Sequence, residues 1–254
     1  MKKTDEIKKR LVSEERHDLS SLRDLVEVLR SEEGCPWDRE QTHGSIRADF
    51  IEETYEVIEA IDNDDPTLLR EELGDVLFQI MFHSRIEEES GHFTIDEVIN
   101  DICEKMIVRH PHVFADTTVS GTGEVLENWD KLKAEEKSRL TVRQSMEAVP
   151  RQLPTLMRVR KIAKKARKDG YDFGDLEKRL RDTADALSKV SSEVEKEGLL
   201  CKLIFDSATY AAVLNGADTE KTVGELLDRF VNDYKSGSEQ GNAVTETEEQ
   251  KNET

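Results

Sequence analysis

Cysteine is scarce in this chain of 254 residues: Cys35, Cys103 and Cys201 stand far apart, with no C-x-x-C pair. Neither a disulfide framework nor a cysteine-based zinc site is suggested, and such usage fits a reducing cytoplasm. With 13 glycines and 5 prolines, the chain has too few breakers for the many turns of an all-β fold. Aromatic residues make up only 6%. No apolar stretch approaches bilayer length, and the opening MKKTDEIKKR lacks the apolar run of a signal peptide. The expectation is therefore a cytoplasmic protein without a membrane anchor. Positive charge is outweighed by negative, leaving a net charge of -19. That argues against DNA or RNA as a partner, because a phosphate polymer requires a basic surface. A small anion held through a metal is still allowed.

What the chain does have is 37% charged and 36% hydrophobic residues, the composition of long helices with charged outer faces. An all-α fold is expected, as one large domain or two small ones. Residues 1–17 read as a loose, charged N-terminal extension. A helix over 20–30 carries Leu22, Leu25, Val26 and Leu29 on one face. GCPWDREQTHG then interrupts the pattern, and helix resumes from about Ser45 to Ile61. DNDDP is a turn in which Asp65 can cap the next helix and Pro66 suits its first position. That helix runs to about Glu88. The next is opened by the capping-box pattern Thr94-x-x-Glu97 and ended by Pro111, and Val125 to Glu136 is a shorter one carrying Trp129. EAVPRQLP reads as a linker. Helices are expected beyond it at 155–168, 175–197, 199–214 and 219–235. The acidic tail 236–254 has almost nothing to bury and is expected to be disordered.

REELGDVLF and EGLLCKLIF can be laid together, Phe78 on Phe205. On that register Lys202 replaces Asp75, Leu199 replaces Glu72, and Arg181, Asp182 and Asp185 stand opposite Glu52, Glu53 and Glu56. The readings are a duplication whose second copy has lost most of its acids, or chance similarity between helical halves.

The acids themselves raise the functional question. Positions three or four apart share a helix face, so Glu53 points with Glu56, and Glu72 with Asp75. The DNDDP turn would fold their helices back on each other and bring four carboxylates together. Two bare charges about 4 Å apart in a protein-like medium repel by roughly 4 kcal/mol, so such a group calls for protons or cations. Oxygen ligands in this number suit Mg2+ or Mn2+. The competing reading is a solvated helix face. It is weakened by Ile51, Tyr55, Ile58, Leu73, Val76 and Leu77, which flank the acids as a core would. A di-iron bundle would need Glu-x-x-His on core helices. The pairs Glu14/His17, Glu40/His43 and Glu89/His92 do not lie in well-formed apolar helices.

GCPWDREQTH, the E-E-x-x-E and E-E-L-G-D-V-L-F-Q stretches, VRHPHVF and ENWDKLKAEEK together resemble the MazG nucleoside triphosphate pyrophosphohydrolases. The segment LPTLMRVRKIAKKARKDGYDF resembles the opening of the second domain in two-domain members. The resemblance implies tandem all-α MazG domains, a homodimer, and Mg2+-dependent hydrolysis of nucleoside triphosphates to monophosphate and pyrophosphate, a house-cleaning of nucleotide pools. It places a catalytic domain at 18–145 and a degenerate one at 146–235. By motif, the metal ligands fall on Glu53, Glu56, Glu72 and Asp75, with Glu52 as the leading acid, able to hold a water or a second ion. Nucleotide contacts fall on Lys105, Arg109 and Trp129. Asp49 stands where some members have a lysine. Trp37 and His43 are read as shaping the entrance or bracing the fold. The alternative function is a catalytically weak nucleotide-binding or regulatory protein. The basic run from Arg158 to Lys168 reads as a solvated face.

Overall fold

The computed structural model describes residues 3–136, 141–214 and 218–231. They are helical throughout, with no strand among the described residues, and the fold is all-α as expected. The acidic tail at 236–254 lies outside the described residues. The chain divides into two compact units, Met1–Lys133 and Ala134–Thr254.

The helices of the first unit are α1 (Lys3–Ser13), α2 (Leu19–Arg30), α3 (Pro36–Glu40), α4 (Arg47–Asp62), α5 (Pro66–Glu89), α6 (Ile95–Arg109), α7 (Pro111–Phe114) and most of α8 (Thr122–Glu136). The opening stretch, expected to be loose, is instead a helix docked on α2. Its charges are spaced to pair. Arg10 binds Glu14 at 2.9 Å and also Asp24, while Glu14 accepts from Ser21 at 2.8 Å. Helix α5 is the axis of the unit and packs against α2, α4 and α6. Its Met81 and Phe82 meet Val26, Ile46 and Ile95 in a core completed by Leu22, Phe78, Ile80, Ile86 and Val98.

Arg30, at the end of α2, pins this core to the segment that precedes α4. Its guanidinium lies 5.1 Å from the centre of the Phe82 ring and donates to Glu89 at 2.7 Å. It also donates to the carbonyl oxygens of Asp38 at 2.7 Å and Gln41 at 3.1 Å. A buried guanidinium is tolerated when its donors are used in this way. Gly34 allows the chain to turn tightly here: a Cβ at this position would sit closer than 3.0 Å to the backbone of Val28 and Leu29.

The α4–α5 hairpin is closed by local chemistry. Asp65 caps α5 by accepting from Thr67 and Leu68 at 2.9 and 3.0 Å, and Pro66 occupies the first turn. Asp64 takes a left-handed conformation, φ 53, which Asp tolerates better than most residues.

The second unit contains α9 (Val142–Glu147), α10 (Thr155–Lys168), α11 (Leu176–Leu187) and α12 (Glu193–Leu214), with helix also at 219–231. Helices α11 and α12 pack as a pair, and α10 packs on α12. The expected helix over 175–197 is in fact broken after Leu187, and Gly198 lies inside α12 rather than at its start. The short stretch Ser188–Ser192, with Val190 and two consecutive serines, makes a better stop than a glycine surrounded by helix formers. Asp206, fully buried on α12, is held by Arg179 from α11.

Replacing Gly34 by Ala is expected to destabilise the protein by about 1–3 kcal/mol, because backbone must move to admit the methyl group. Urea unfolding should show a lower midpoint with an unchanged slope; an unchanged midpoint would mean that the close approach does not exist.

Candidate functional site

Two turns of α4 and two of α5 face each other above the DNDDP turn. Glu53 and Glu56 come from α4 and Glu72 from α5, and one carboxylate oxygen from each lies within 4.8 Å of the others. Among the described residues this is the one such group of metal-capable side chains. Glu72 is buried, at 9% exposure, and Glu53 and Glu56 are half-buried. Asp75, one turn along α5 from Glu72, is exposed and lies outside this trio, yet its charge bears on both Glu53 and Glu72. Glu52 faces solvent.

The electrostatics follow from this crowding. Burial raises the Glu53 carboxyl from 4.5 to about 7, reinforced by the charge on Asp75, then by a hydrogen bond and like charge from Glu56, and by Glu72. Glu72 is raised in the same direction, first by burial and then by the charges of Glu56, Asp75 and Glu71. No lysine or arginine is among the causes acting on either group. Converging carboxylates that raise one another in this way are a donor set for a hard divalent ion, whose charge would favour their ionised forms.

The apolar residues beside the acids are not core. Ile51, Tyr55 and Ile58 on α4, with Leu73 and Leu77 on α5, are 37–51% exposed. Gly74 has open space where a side chain would be. Of the expected nucleotide contacts, Arg109 and Trp129 come together, with the guanidinium 5.3 Å from the indole centre. His110 meets the same indole edge-on at 5.0 Å. Lys105 is exposed on α6, one turn before Arg109.

The structure also holds a polar network that the sequence did not announce. His43 Nδ1 lies 2.7 Å from His83 Nδ1, and His43 Nε2 lies 2.6 Å from Glu87. The other oxygen of Glu87 binds His92 at 2.6 Å. His83 and Glu87 are one turn apart on α5, but His43 comes from forty positions earlier, so no local motif marks the set.

A carboxyl raised in the folded state holds a proton that the unfolded chain has lost. The stabilisation it gives is full below 4.5 and is lost as pH rises to about 7. Metal-free Glu53→Gln protein should therefore melt above the parent at about pH 8 and with it near pH 4.5. Thermal melts in chelator would show this, and saturating Mn2+ should reverse the order at the higher pH. Equal melting at both pH values would refute the crowding.

Residues 41–114 match the model of the MazG nucleotide pyrophosphohydrolase domain. The chain is 36% identical over 215 residues to the nucleoside triphosphate pyrophosphohydrolase of Escherichia coli K12, covering 84% of this chain and 76% of that one. It is 38% identical over 218 residues to the nucleoside triphosphate pyrophosphohydrolase/pyrophosphatase MazG of Thermotoga maritima, covering 85% and 83%. Identity reaches 46% over 148 residues with Bacillus subtilis YabN, of which the match spans 30%. The likeness thus extends well beyond the acidic hairpin, through both units, and the chain belongs to the MazG family.

Proposed function

We propose that the protein hydrolyses nucleoside triphosphates to monophosphate and pyrophosphate, as the names of its E. coli and T. maritima relatives describe, in a house-cleaning of nucleotide pools. The observation that carries this reading is the convergence of Glu53, Glu56 and Glu72, one carboxylate oxygen from each within 4.8 Å of the others. These three, with Asp75 from the next turn, would hold Mg2+, or Mn2+ in its place. A bound divalent ion supplies charge neutralisation on the polyphosphate and lowers the pKa of a bound water. The protein's own groups do the rest. Glu52, exposed and next to Glu53 in the chain, would hold a water or a second ion. Lys105 and Arg109, one turn apart, offer cations to the phosphate tail. Trp129, which carries Arg109 on its face, offers an indole for stacking on the base.

The second unit we read as a degenerate copy. Asp182 stands opposite Glu53 in the repeat register, but it is bound to Lys178 at 2.6 Å, and that bond lowers its carboxyl below the ordinary range. Lys202 adds a further positive charge acting on it. A carboxylate already neutralised by lysines is a poor start for a metal site.

The exposed Ile51, Tyr55, Ile58, Leu73 and Leu77 are assigned to a homodimer, a second copy covering the hairpin's outer face, since a patch of this kind on a charged surface marks an interface. No described helix is long and apolar enough to cross a membrane, in keeping with a cytoplasmic enzyme.

The test is product analysis with Mg2+ and a panel of triphosphates. Monophosphate and pyrophosphate are expected, and Glu53→Gln or Asp75→Asn should lower turnover by about 100-fold or more at limiting Mg2+ with helicity unchanged. Orthophosphate and a diphosphate would refute the bond assignment. Nucleotide binding without turnover would favour the regulatory reading.

For the interface, Tyr55→Glu should convert a dimer to a monomer in light scattering; an unaltered mass would move the interface elsewhere.

A further inference from the structure

The network around His43 has a geometry that restricts its protons. The ring centres of His43 and His83 are 5.0 Å apart, their planes 9° apart, and their Nδ1 atoms 2.7 Å apart. The two nitrogens therefore lie between the two centres, and the rings meet end to end. This is the arrangement of an N–H···N hydrogen bond, which needs one proton between the nitrogens. Glu87 then fixes the direction. Its carboxyl is held below the ordinary range by its bonds to His92 and to His43, so it is an acceptor only. His43 must present a proton on Nε2 to it. A neutral His43 is then bare at Nδ1, and His83 donates from its own Nδ1. If one further proton arrives, a single hydrogen can still sit between the rings. If both rings become cations, two N–H groups point at each other across 2.7 Å, and the contact cannot hold.

We propose that His43 and His83 form a proton-gated latch fixing the segment before α4 on α5, and that both are positioning residues for the carboxylates of α4. The metal role of those carboxylates is the reading given above, and the inference rests on it. His43 lies in the segment 41–46, whose backbone continues directly into α4 through the bonds of Ser45 and Ile46 to Thr42. Phe50, in the first turn of α4, lies edge-on to His83 at 5.6 Å. Glu53 follows one turn later. Closing the latch thus sets the start of the helix that carries Glu53 and Glu56.

His83 is met by groups from segment 41–46 and from α4. From segment 41–46 there is His43, and from α4 the uncharged ring of Phe50. On α5 itself, Gln79 lies one turn before and Glu87 one turn after. His92, beyond the end of α5, reaches it only through Glu87, and Arg30 of α2 is engaged with Glu89, Asp38 and Gln41. Burial, then the charge of His43, keeps His83 below its ordinary value of 6.5. A histidine lowered in the folded state gives stability that is full above 6.5 and is lost as pH falls below it. The latch should accordingly survive the first protonation and open only on the second, on the acid side of 6.5.

The test uses the full chain. Long-range 15N imidazole spectra between about pH 5 and 8 should show His43 protonated at Nε2 and His83 at Nδ1 at the upper end. His83 should gain its second proton below 6.5. Over the same interval the exchange protection of the Ser45, Ile46 and Phe50 amides, corrected for intrinsic rate, should fall in the parent. In His83→Asn, which keeps a donor near the same place but cannot ionise, it should not fall. Mn2+ affinity measured near pH 8, where the carboxylates are ionised, should weaken about tenfold or more in His83→Phe and be rescued in His83→Asn. His43→Ala gives the same reading should His83→Phe fail to fold. Identical protection in parent and His83→Asn across the range, or the opposite tautomers, would overturn the latch. Equal Mn2+ affinity in all variants would overturn the positioning role. None of these measurements depends on triphosphate turnover, so a failure of the enzymatic reading would register separately.

Discussion

Like-charge repulsion across the α4–α5 hairpin is the constraint that orders the first unit. Glu53, Glu56 and Glu72 meet within 4.8 Å, with Asp75 close enough to raise two of them. Like charges at such distances oppose each other and favour the protonated form. The helices stay together because α5 is long. Its first turns carry the acids, and further along it Met81 and Phe82 sit among Val26, Ile46 and Ile95. Hydrophobic burial along one stretch of the helix therefore sustains an unfavourable arrangement along another, which a cation would relieve. This is the usual relation of a functional site to its scaffold: strain tolerated locally and balanced by packing elsewhere.

The remaining parts of the unit serve that balance. Arg30 ties the end of α2 to Glu89 and to the backbone at Asp38 and Gln41. The histidine pair holds the same strand of chain two residues further on. The segment before α4 is thus held at both ends by directional bonds, although its side chains are largely exposed. In the second unit the paired helices α11 and α12 are joined by an ion pair of opposite charges, the half-buried Arg179 with the buried Asp206.

Much of this was legible in the sequence because it is local. The Asp65 cap, Pro66, the Thr94–Glu97 capping box and the E-x-x-E spacing each depend on residues within a turn or two, and the structure has them. The break between α11 and α12 falls at Ser188–Ser192 and not after 197, because serines and a β-branched valine stop a helix where a lone glycine among helix formers does not. Ile51, Tyr55 and Ile58 were read as core because periodicity reports an apolar face without saying what covers it. The histidine network was missed for a different reason. His43 and His83 acquire meaning only from each other, and nothing in the spacing of either one predicts the end-to-end contact.

The tightness of the DNDDP turn has a consequence for how the protein is made. Every carboxylate of the cluster lies on one helical hairpin, so the site is assembled from neighbours along the chain and not from distant segments. Loop closure then adds little entropic cost, and structure with such local contacts forms early and fast. The hairpin can therefore form, and bring its carboxylates together, before α2 and α6 have docked on it.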